Sequence, residues 1–359
     1  MAQASESGTA VGRAAGRRRG QPTILDVAAL AGVSKSAVSK VFNNRSGISE
    51  ATRDRILDAA EKLGWSPSAT ATALRGERSH AVGLIIPREV DLLGADPFFA
   101  ETVAGLEEEL GPAGYALRLH LAGLDAAQEA ELYERLARER RVDAFLLTEN
   151  RIVDQRHELL RRLRTPGLLL GRPTPGQRLE SVHAAGLDEA FSAALDHLLG
   201  LGHRRIAFVT GPENSAHAQL RVQRLEAHLA AHGLRPYAVI PTDLTAEAAA
   251  DATAGLLAAD DGGPTGVAYM NDAMALTGIA TAQRAGLTVP RDLSVIGHDD
   301  HPLGRWLHPR LTTVRQDARA VSRVAALRLL SLLGAHAGPV PEPPAADLVV
   351  RESTGPARR

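Results

Sequence analysis

Between Thr23 and Leu63 apolar residues recur three and four positions apart, the period of amphipathic helices. From Ala81 onward they gather instead into short continuous runs separated by helical stretches. The first helix opens at Thr23-Ile24-Leu25-Asp26, where a hydroxyl can cap free backbone donors and a carboxylate three residues on can return the bond. Ile24, Val27, Ala28 and Ala31 share one face, and Gly32 supplies the residue that stops the helix. A second helix is expected from Ser34 to Asn43, with Val38, Val41 and Phe42 inward and Lys35, Ser36, Ser39 and Lys40 pointing elsewhere. A third, Ser49 to Leu63, buries Ile56, Leu57, Ala60 and Leu63 and ends at Gly64-Trp65 before Pro67. Three such helices close a small all-α core over residues 21–66.

The remainder alternates strand and helix. Val82–Ile86, Ala116–Leu121, Ala144–Leu147 and Gly167–Leu170 are expected as buried strands, with helices at Phe99–Leu110, Ala126–Arg138 and Gln155–Leu163. After the polar, Pro- and Gly-containing stretch Arg172–Arg178 the rhythm resumes with strands Ile206–Val209, Tyr237–Ile240, Gly266–Tyr269 and Leu293–Ile296. Helices are expected at Leu187–Leu199, Ala218–His232, Ala246–Ala258 and Asp272–Ala285. Such alternation with right-handed crossovers yields parallel sheets covered on both faces, and the length suffices for two Rossmann-like subdomains with a cleft between them. In such a layout ligands lie beyond the carboxyl ends of strands, where Thr148, Asn271, Asp272, Asp299 and Asp300 stand.

Charge sharpens the division. Residues 1–78 hold 12 Lys and Arg against 7 Asp and Glu, whereas the rest holds 29 against 35. A nearly neutral chain therefore carries a basic N-terminal module on an acidic body, which points to a polyanionic partner for the first. A helix-turn-helix lays its second helix in the DNA major groove, and Lys35, Ser36 and Lys40 are donors of suitable length on that helix. Residues 1–20, small and polar with the run Arg17-Arg18-Arg19, are expected to be a disordered tail. No apolar stretch is long enough to cross a bilayer or serve as an export signal, and cysteine is absent, so a cytoplasmic location without disulfides is expected.

The segment TILDVAALAGVSKSAVSKVFNNRSGISEATRDRILDAAEKLGWSPSATATALR resembles the headpiece of the LacI/GalR family of bacterial transcription regulators. The likeness continues in order through LIIP, DPFFAETVAGLEEEL, VDAFLL, LGHRRIAFVTG, YMNDAMAL, DLSVIGHDD, PRLTTVRQD and DLVVREST. It implies a helix-turn-helix domain followed by a periplasmic-binding-protein-like effector core, with DNA contacts from Thr23, Ser34, Lys35, Ser36, Ser39, Lys40 and Asn43. Residues 67–78 then correspond to a hinge helix and linker, with Leu74 as the residue that wedges between base pairs in the minor groove. The resemblance further implies an effector site lined by Phe98, Phe99, Thr148, Arg221, Asn271 and Asp299. The core spans 79–351, with an N-subdomain of about 81–178 plus 312–337, a C-subdomain of about 179–311 plus 338–351, and a tail at 352–359.

The implied activity is operator binding by a homodimer on pseudo-palindromic double-stranded DNA, controlled by a small carbohydrate-like effector, and not an enzymatic one. Neither cofactor nor metal is expected: His298 and His301 flank Asp299-Asp300, but their spacing matches no metal motif. Asp272 is expected to cap the helix that follows it. Several positions depart from the family pattern: Lys40 replaces arginine, Gly186-Leu187 replaces Asp-Asn, Ala190 and Arg224 replace glycines, and His298 replaces an aromatic residue. These leave open a smaller or more charged effector, or an orphan regulator whose ligand site has drifted. A periplasmic sugar-binding protein has no helix-turn-helix. An enzyme acting on sugars or nucleotides is disfavoured, because the chain has neither a Gly-rich phosphate loop nor a nucleophile elbow.

Overall fold

The structure is a computed structural model and describes residues 22–42, 46–66, 78–86, 97–121, 123 and 125–358. It divides into two compact units, residues 1–77 and 78–359. The expected tail 1–20, Asn43 and the expected hinge with Leu74 lie outside the described residues.

In the first unit three helices, α1 (Ile24–Ala31), α2 (Lys35–Phe42) and α3 (Glu50–Leu63), enclose one apolar cluster. Asp26 closes the start of α1 by accepting from the Thr23 amide at 2.8 Å and from the Thr23 hydroxyl at 2.7 Å. Gly32 ends α1 at φ 64°, a conformation that costs a side-chain-bearing residue energy, and the Val33 amide then reaches back to the Ala28 carbonyl at 3.0 Å. Ser34 caps α2 by accepting from the Ala37 amide at 3.2 Å. Val27, Val38 and Ile56 are fully buried at the centre, and Phe42 meets Trp65 edge-on at 5.1 Å. Leu57, expected inside, is 43% exposed. The buried stripe of α3 runs Ile56, Ala59, Ala60, and one residue past Ile56 the helix has turned about 100° away from it.

The second unit contains two sheets. The first, in the order β2-β1-β3-β4-β5, joins β1 (Ala81–Ile86), β2 (Ala116–Leu121), β3 (Ala144–Leu147), β4 (Gly167–Leu170) and β5 (Glu180–Val182), all parallel. Helices α4 (Pro97–Leu110), α5 (Ala126–Arg138) and α6 (Arg156–Leu163) alternate with its strands. The second sheet, β11-β10-β9-β8-β6-β7, joins β6 (Ile206–Thr210), β7 (Ala238–Pro241), β8 (Gly266–Tyr269), β9 (Ser294–His298), β10 (Thr312–Arg315) and β11 (Asp347–Val349). Only β11 runs antiparallel, against β10. Around this sheet lie α7 (Leu187–Gly200), α8 (Ala216–Ala231), α9 (Ala246–Leu257) and α10 (Asp272–Arg284). Central strands are buried along their whole length, which is why they show in the sequence as continuous apolar runs.

The last long helix, α11 (Ala318–Leu332), returns to the first subdomain: Val321, Val324, Ala325 and Leu329 join the cluster formed by Val82, Leu84, Leu106 and Leu168. It packs on α4 closely enough that a Cβ at Gly105 would stand 2.2 Å from the Arg319 carbonyl oxygen. The chain thus crosses between subdomains after β5, after β10 and after α11.

The first two crossings differ from the expected boundaries at 178 and 312. Residues Glu180–Val182 pair with Leu168–Leu170 and extend the first sheet, whereas Thr312–Val314 pair with Ile296–His298 and belong to the second. The expected tail at 352–359 is also corrected. Ser353 is fully buried, donates to the Val295 carbonyl at 2.6 Å and accepts from the Thr312 amide at 2.8 Å. The Gly355 carbonyl meets His203 Nε2 at 3.0 Å. Among the described residues no helix is long and apolar enough to cross a membrane.

Candidate functional site

Two surfaces carry the candidate chemistry, one in each unit. On α2 the apolar residues Val38 and Val41 face the core, and this leaves Lys35, Ser36 and Lys40 exposed and Ser39 half-buried. The Ser34 and Ser36 hydroxyls are 2.8 Å apart, so Ser34 is both helix cap and neighbour of the exposed face. The Thr23 hydroxyl stands in a capping box with Asp26 and gives its own proton to that carboxylate. This bond, with a second from the Thr23 amide, holds the Asp26 carboxyl below the usual range.

The second surface is a cavity between the two sheets of the core that opens to solvent. Phe98, Arg172, His183, Asp188, His217, Arg221 and Gln316 line it. Arg221, on α8, reaches across the carboxyl end of the second sheet: Nη1 donates to the Met270 carbonyl at 2.7 Å and Nη2 stands 2.7 Å from His298 Nε2. Burial, together with the Arg221 and His217 charges, holds the His298 imidazole well below its ordinary pKa. It is therefore neutral, with the Nε2 lone pair toward the guanidinium. His217 is likewise pushed down to about 4, by burial first and then by Arg221. Gly171, at φ 136°, lets the backbone pass this ring, since a Cβ there would lie 2.7 Å from His217 Nε2.

Asp188, at the start of α7, accepts from Arg172 at 2.6 Å and from Arg224 at 2.7 Å. Burial raises its pKa, but the two guanidinium hydrogen bonds outweigh that and the net shift is downward. Arg224, the arginine that replaces a glycine of the family pattern, is thus a partner of the carboxylate two residues after Gly186. Asp299, with φ 98°, accepts from Gln316 Nε2 at 2.6 Å and borders an adjoining part of the cleft. Beneath it Asp272 is buried, accepting from Thr313 Oγ1 at 2.7 Å and from the His301 amide at 2.6 Å. Desolvation raises its pKa well above the usual carboxyl range. Gly297 is required here, since a Cβ would fall 2.0 Å from an Asp272 oxygen.

Of the expected effector residues, Phe98, Arg221 and Asp299 reach the cleft. Asn271 lies two residues after β8 and serves as N-cap of α10, its Oδ1 accepting from the Met274 amide at 2.9 Å. The cap is therefore Asn271, and Asp272, expected in that role, is the first helical residue. Phe99 packs in the core of the first subdomain and is not among the cavity-lining residues. It follows Phe98 on α4, and a helix turns consecutive side chains to different faces.

Thr148 is buried and is likewise not among the lining residues. Arg156, fixed by Asp154 at 2.6 Å, donates to the Thr148 carbonyl at 3.0 Å and pins the loop after β3. Sequence reasoning missed Arg172, Asp188, His217 and Gln316. Arg172 stands two residues beyond the end of β4, so the strand-end rule that picked out Thr148 after β3 could have found it. His217 and Asp188 carry no such signal.

The family model for bacterial regulatory proteins of the lacI family matches residues 23–68, and that for the periplasmic binding protein-like domain matches 195–354. The HTH-type transcriptional repressor PurR of Aliivibrio fischeri is 32% identical over 312 residues, covering 86% of this chain and 90% of PurR. The chain belongs to the lacI family. It is accordingly a DNA-binding transcriptional repressor with an effector-binding domain, not an enzyme. Within the family, the repressor CytR of Escherichia coli K12 is also 32% identical, over 92% of this chain and 96% of CytR. A crystal structure of the lac repressor dimer bound to operator and the anti-inducer ONPF aligns with a TM-score of 0.79 at 26% identity, over 94% of this chain and 100% of that one.

Proposed function

We propose that this repressor acts in the cytoplasm as a homodimer on a pseudo-palindromic double-stranded operator. Lys35, Ser36 and Lys40 are its principal reading residues, flanked by Thr23, Ser34, Ser39 and Asn43, with Leu74 as the minor-groove wedge. A small polar, carbohydrate-like effector in the cleft sets its affinity for DNA.

The effector part rests on Arg221. Its guanidinium meets the Met270 carbonyl and His298, lies within the field of Asp299 and Asp188, and lines an open cavity that Phe98 and Gln316 share. A guanidinium there, with Asp299 and Asn271 nearby in the fold, supplies donors and acceptors for ring hydroxyls, and Phe98 supplies an apolar face. Dimer formation is supported by the lac repressor dimer on its operator and by one exposed apolar segment, Leu303, Trp306 and Leu307, in which Trp306 is 84% exposed. Two headpieces related by a two-fold axis match an operator of the same symmetry. An effector that prefers one relation between the subdomains then shifts operator affinity by its differential affinity for the two states.

A second reading is favoured by the charge of the cavity wall. Among the described residues Arg172 and Arg221 line it against one carboxylate, Asp188, and the flanking histidines have lowered pKa values. This suits an effector bearing a carboxylate or phosphate. A thermal-shift panel of neutral sugars, nucleosides, sugar phosphates and uronic acids on the full chain separates the readings, because a cleft ligand stabilises the folded core by mass action. A neutral sugar that raises the midpoint and changes operator affinity supports the first. Responses confined to acidic compounds support the second, and no response across the panel defeats both.

A further inference from the structure

Away from the cleft, at the far end of the α7–α8 seam, stands a group of side chains that none of the preceding functions uses. We propose that Asp196, His228 and His232 form a binding site for a divalent transition-metal ion of the zinc class. His228 lies in the last turn of α8 and His232 at its C-cap, four residues apart, which places both imidazoles on one side of the helix. Their ring centroids are 5.3 Å apart. Asp196 comes from α7, with Oδ1 2.8 Å from His228 Nε2. One donor atom from each of the three residues lies within 4.8 Å of the others, a spread that small rotamer changes close to the spacing of ligands around one ion.

Three further features suit a cation. The Nδ1 of His232 is 3.0 Å from the His228 carbonyl oxygen, so Nδ1–H donates to that carbonyl and the Nε2 lone pair faces outward. Metal-ligating histidines are oriented by the same kind of second bond. The site sits at the C-terminal end of α8, where the free carbonyls carry the negative end of the helix dipole. Asp196 and His232 are exposed and His228 is half-buried, so an ion can enter from solvent without the core opening. Two imidazoles and a carboxylate favour zinc, nickel or copper over magnesium or calcium, and three protein ligands leave the fourth position to water.

The seam gives the site a consequence. One turn before His228, Arg224 reaches Asp188 at 2.7 Å, and Asp188 and Arg221 line the cavity. An ion held by Asp196, His228 and His232 ties together the two helices whose opposite ends form the effector wall.

The test is calorimetric titration of the full chain with zinc chloride, with cobalt absorption as a second readout of coordination. The chain has 13 histidines, so the variants decide where an ion binds. Saturable binding of one zinc ion per chain, weakened about tenfold or more by His232→Ala and by Asp196→Asn, with magnesium failing to compete, is the expected result. Both changes are at exposed side chains, and unchanged melting of the metal-free variants checks that they fold. Absence of saturable zinc binding overturns the proposal. So does zinc binding that His232→Ala, His228→Ala and Asp196→Asn all leave intact.

Discussion

Arg221 and His298 meet at 2.7 Å through Nη2 and Nε2, a contact that requires the imidazole nitrogen to be an acceptor. The histidine orients the guanidinium at the cleft and replaces the aromatic residue usual at that position in the family. His298→Phe removes the acceptor and leaves a buried donor unmatched, a loss of about 1–3 kcal/mol in systems of this kind. The expected outcome is effector binding weaker by roughly tenfold to a hundredfold, with operator affinity of the effector-free protein unchanged. Calorimetry with the identified effector and fluorescence anisotropy on DNA measure the two separately.

Acidification destabilises the core through these same rings. His217 and His298 have folded-state pKa values below the ordinary 6.5, His217 at about 4. Below pH 6.5 the unfolded chain therefore binds protons that the folded chain refuses, and stability falls as pH drops. For His217 the fall runs from pH 6.5 toward about 4 and then levels off. One such proton contributes a slope of at most about 1.4 kcal/mol per pH unit. Urea unfolding at a series of pH values is expected to show a shallower slope for His217→Asn than for the parent.

Arg224→Gly, which restores the glycine usual in the family, leaves Asp188 with Arg172 alone. Both partners of the lost bond are partly exposed, so the stability cost is expected to stay within about 1 kcal/mol. The effector preference should change more, because the Asp188 carboxylate then faces the cavity less neutralised. Thermal-shift ranking of the same ligand panel on parent and variant checks this, and an identical ranking removes Arg224 from specificity.

Two glycines of ordinary backbone conformation predict opposite signs. At Gly105 a Cβ meets the Arg319 carbonyl at 2.2 Å, backbone against backbone, so Gly105→Ala must push α4 and α11 apart at a cost of about 1–3 kcal/mol. At Gly255, inside α9, no atom lies within 4 Å of the added carbon. Gly255→Ala is expected to stabilise by roughly 0.5–1 kcal/mol through helix propensity. Chemical unfolding of the two variants reads both.

On the headpiece, Lys35→Ala should weaken binding to the cognate operator by about 1–3 kcal/mol and relax discrimination against mutated sites. A loss of equal size on random DNA, with the salt dependence reduced by about one unit, would identify Lys35 as a phosphate contact instead.

Central elements were legible in the sequence because burial on both faces leaves an unbroken apolar run. β3, β4 and β8 begin and end where the pattern places them, and so does the edge strand β2, although its residues are only half-buried or exposed. The short strands β5, β10 and β11 were not, since Glu180-Ser181-Val182 and Thr312-Thr313-Val314-Arg315 are too polar and too brief to distinguish from loop. Their sheet membership depends on pairing rather than on pattern, that of β5 on β4 and that of β10 on β9. The buried tail at Ser353 was hidden for the same reason, because its value lies in hydrogen bonds to β9 and β10 rather than in hydrophobicity. In the cleft, strand-end residues on the polar side were visible, whereas Asp188 and His217 became apparent only once α7 and α8 were seen to face the same cavity.

The chain passes between the subdomains three times, and the first and last passages are joined by the Ala346 amide donating to the Ala185 carbonyl at 2.8 Å. Three tethers, two of them bonded to each other, suppress sliding and separation far more than rotation about their common line. Whatever enters the cleft therefore has a single soft coordinate to act on, the angle of closure. Compounds of different chemistry would then differ in how far they turn that angle, not in which direction the core can move.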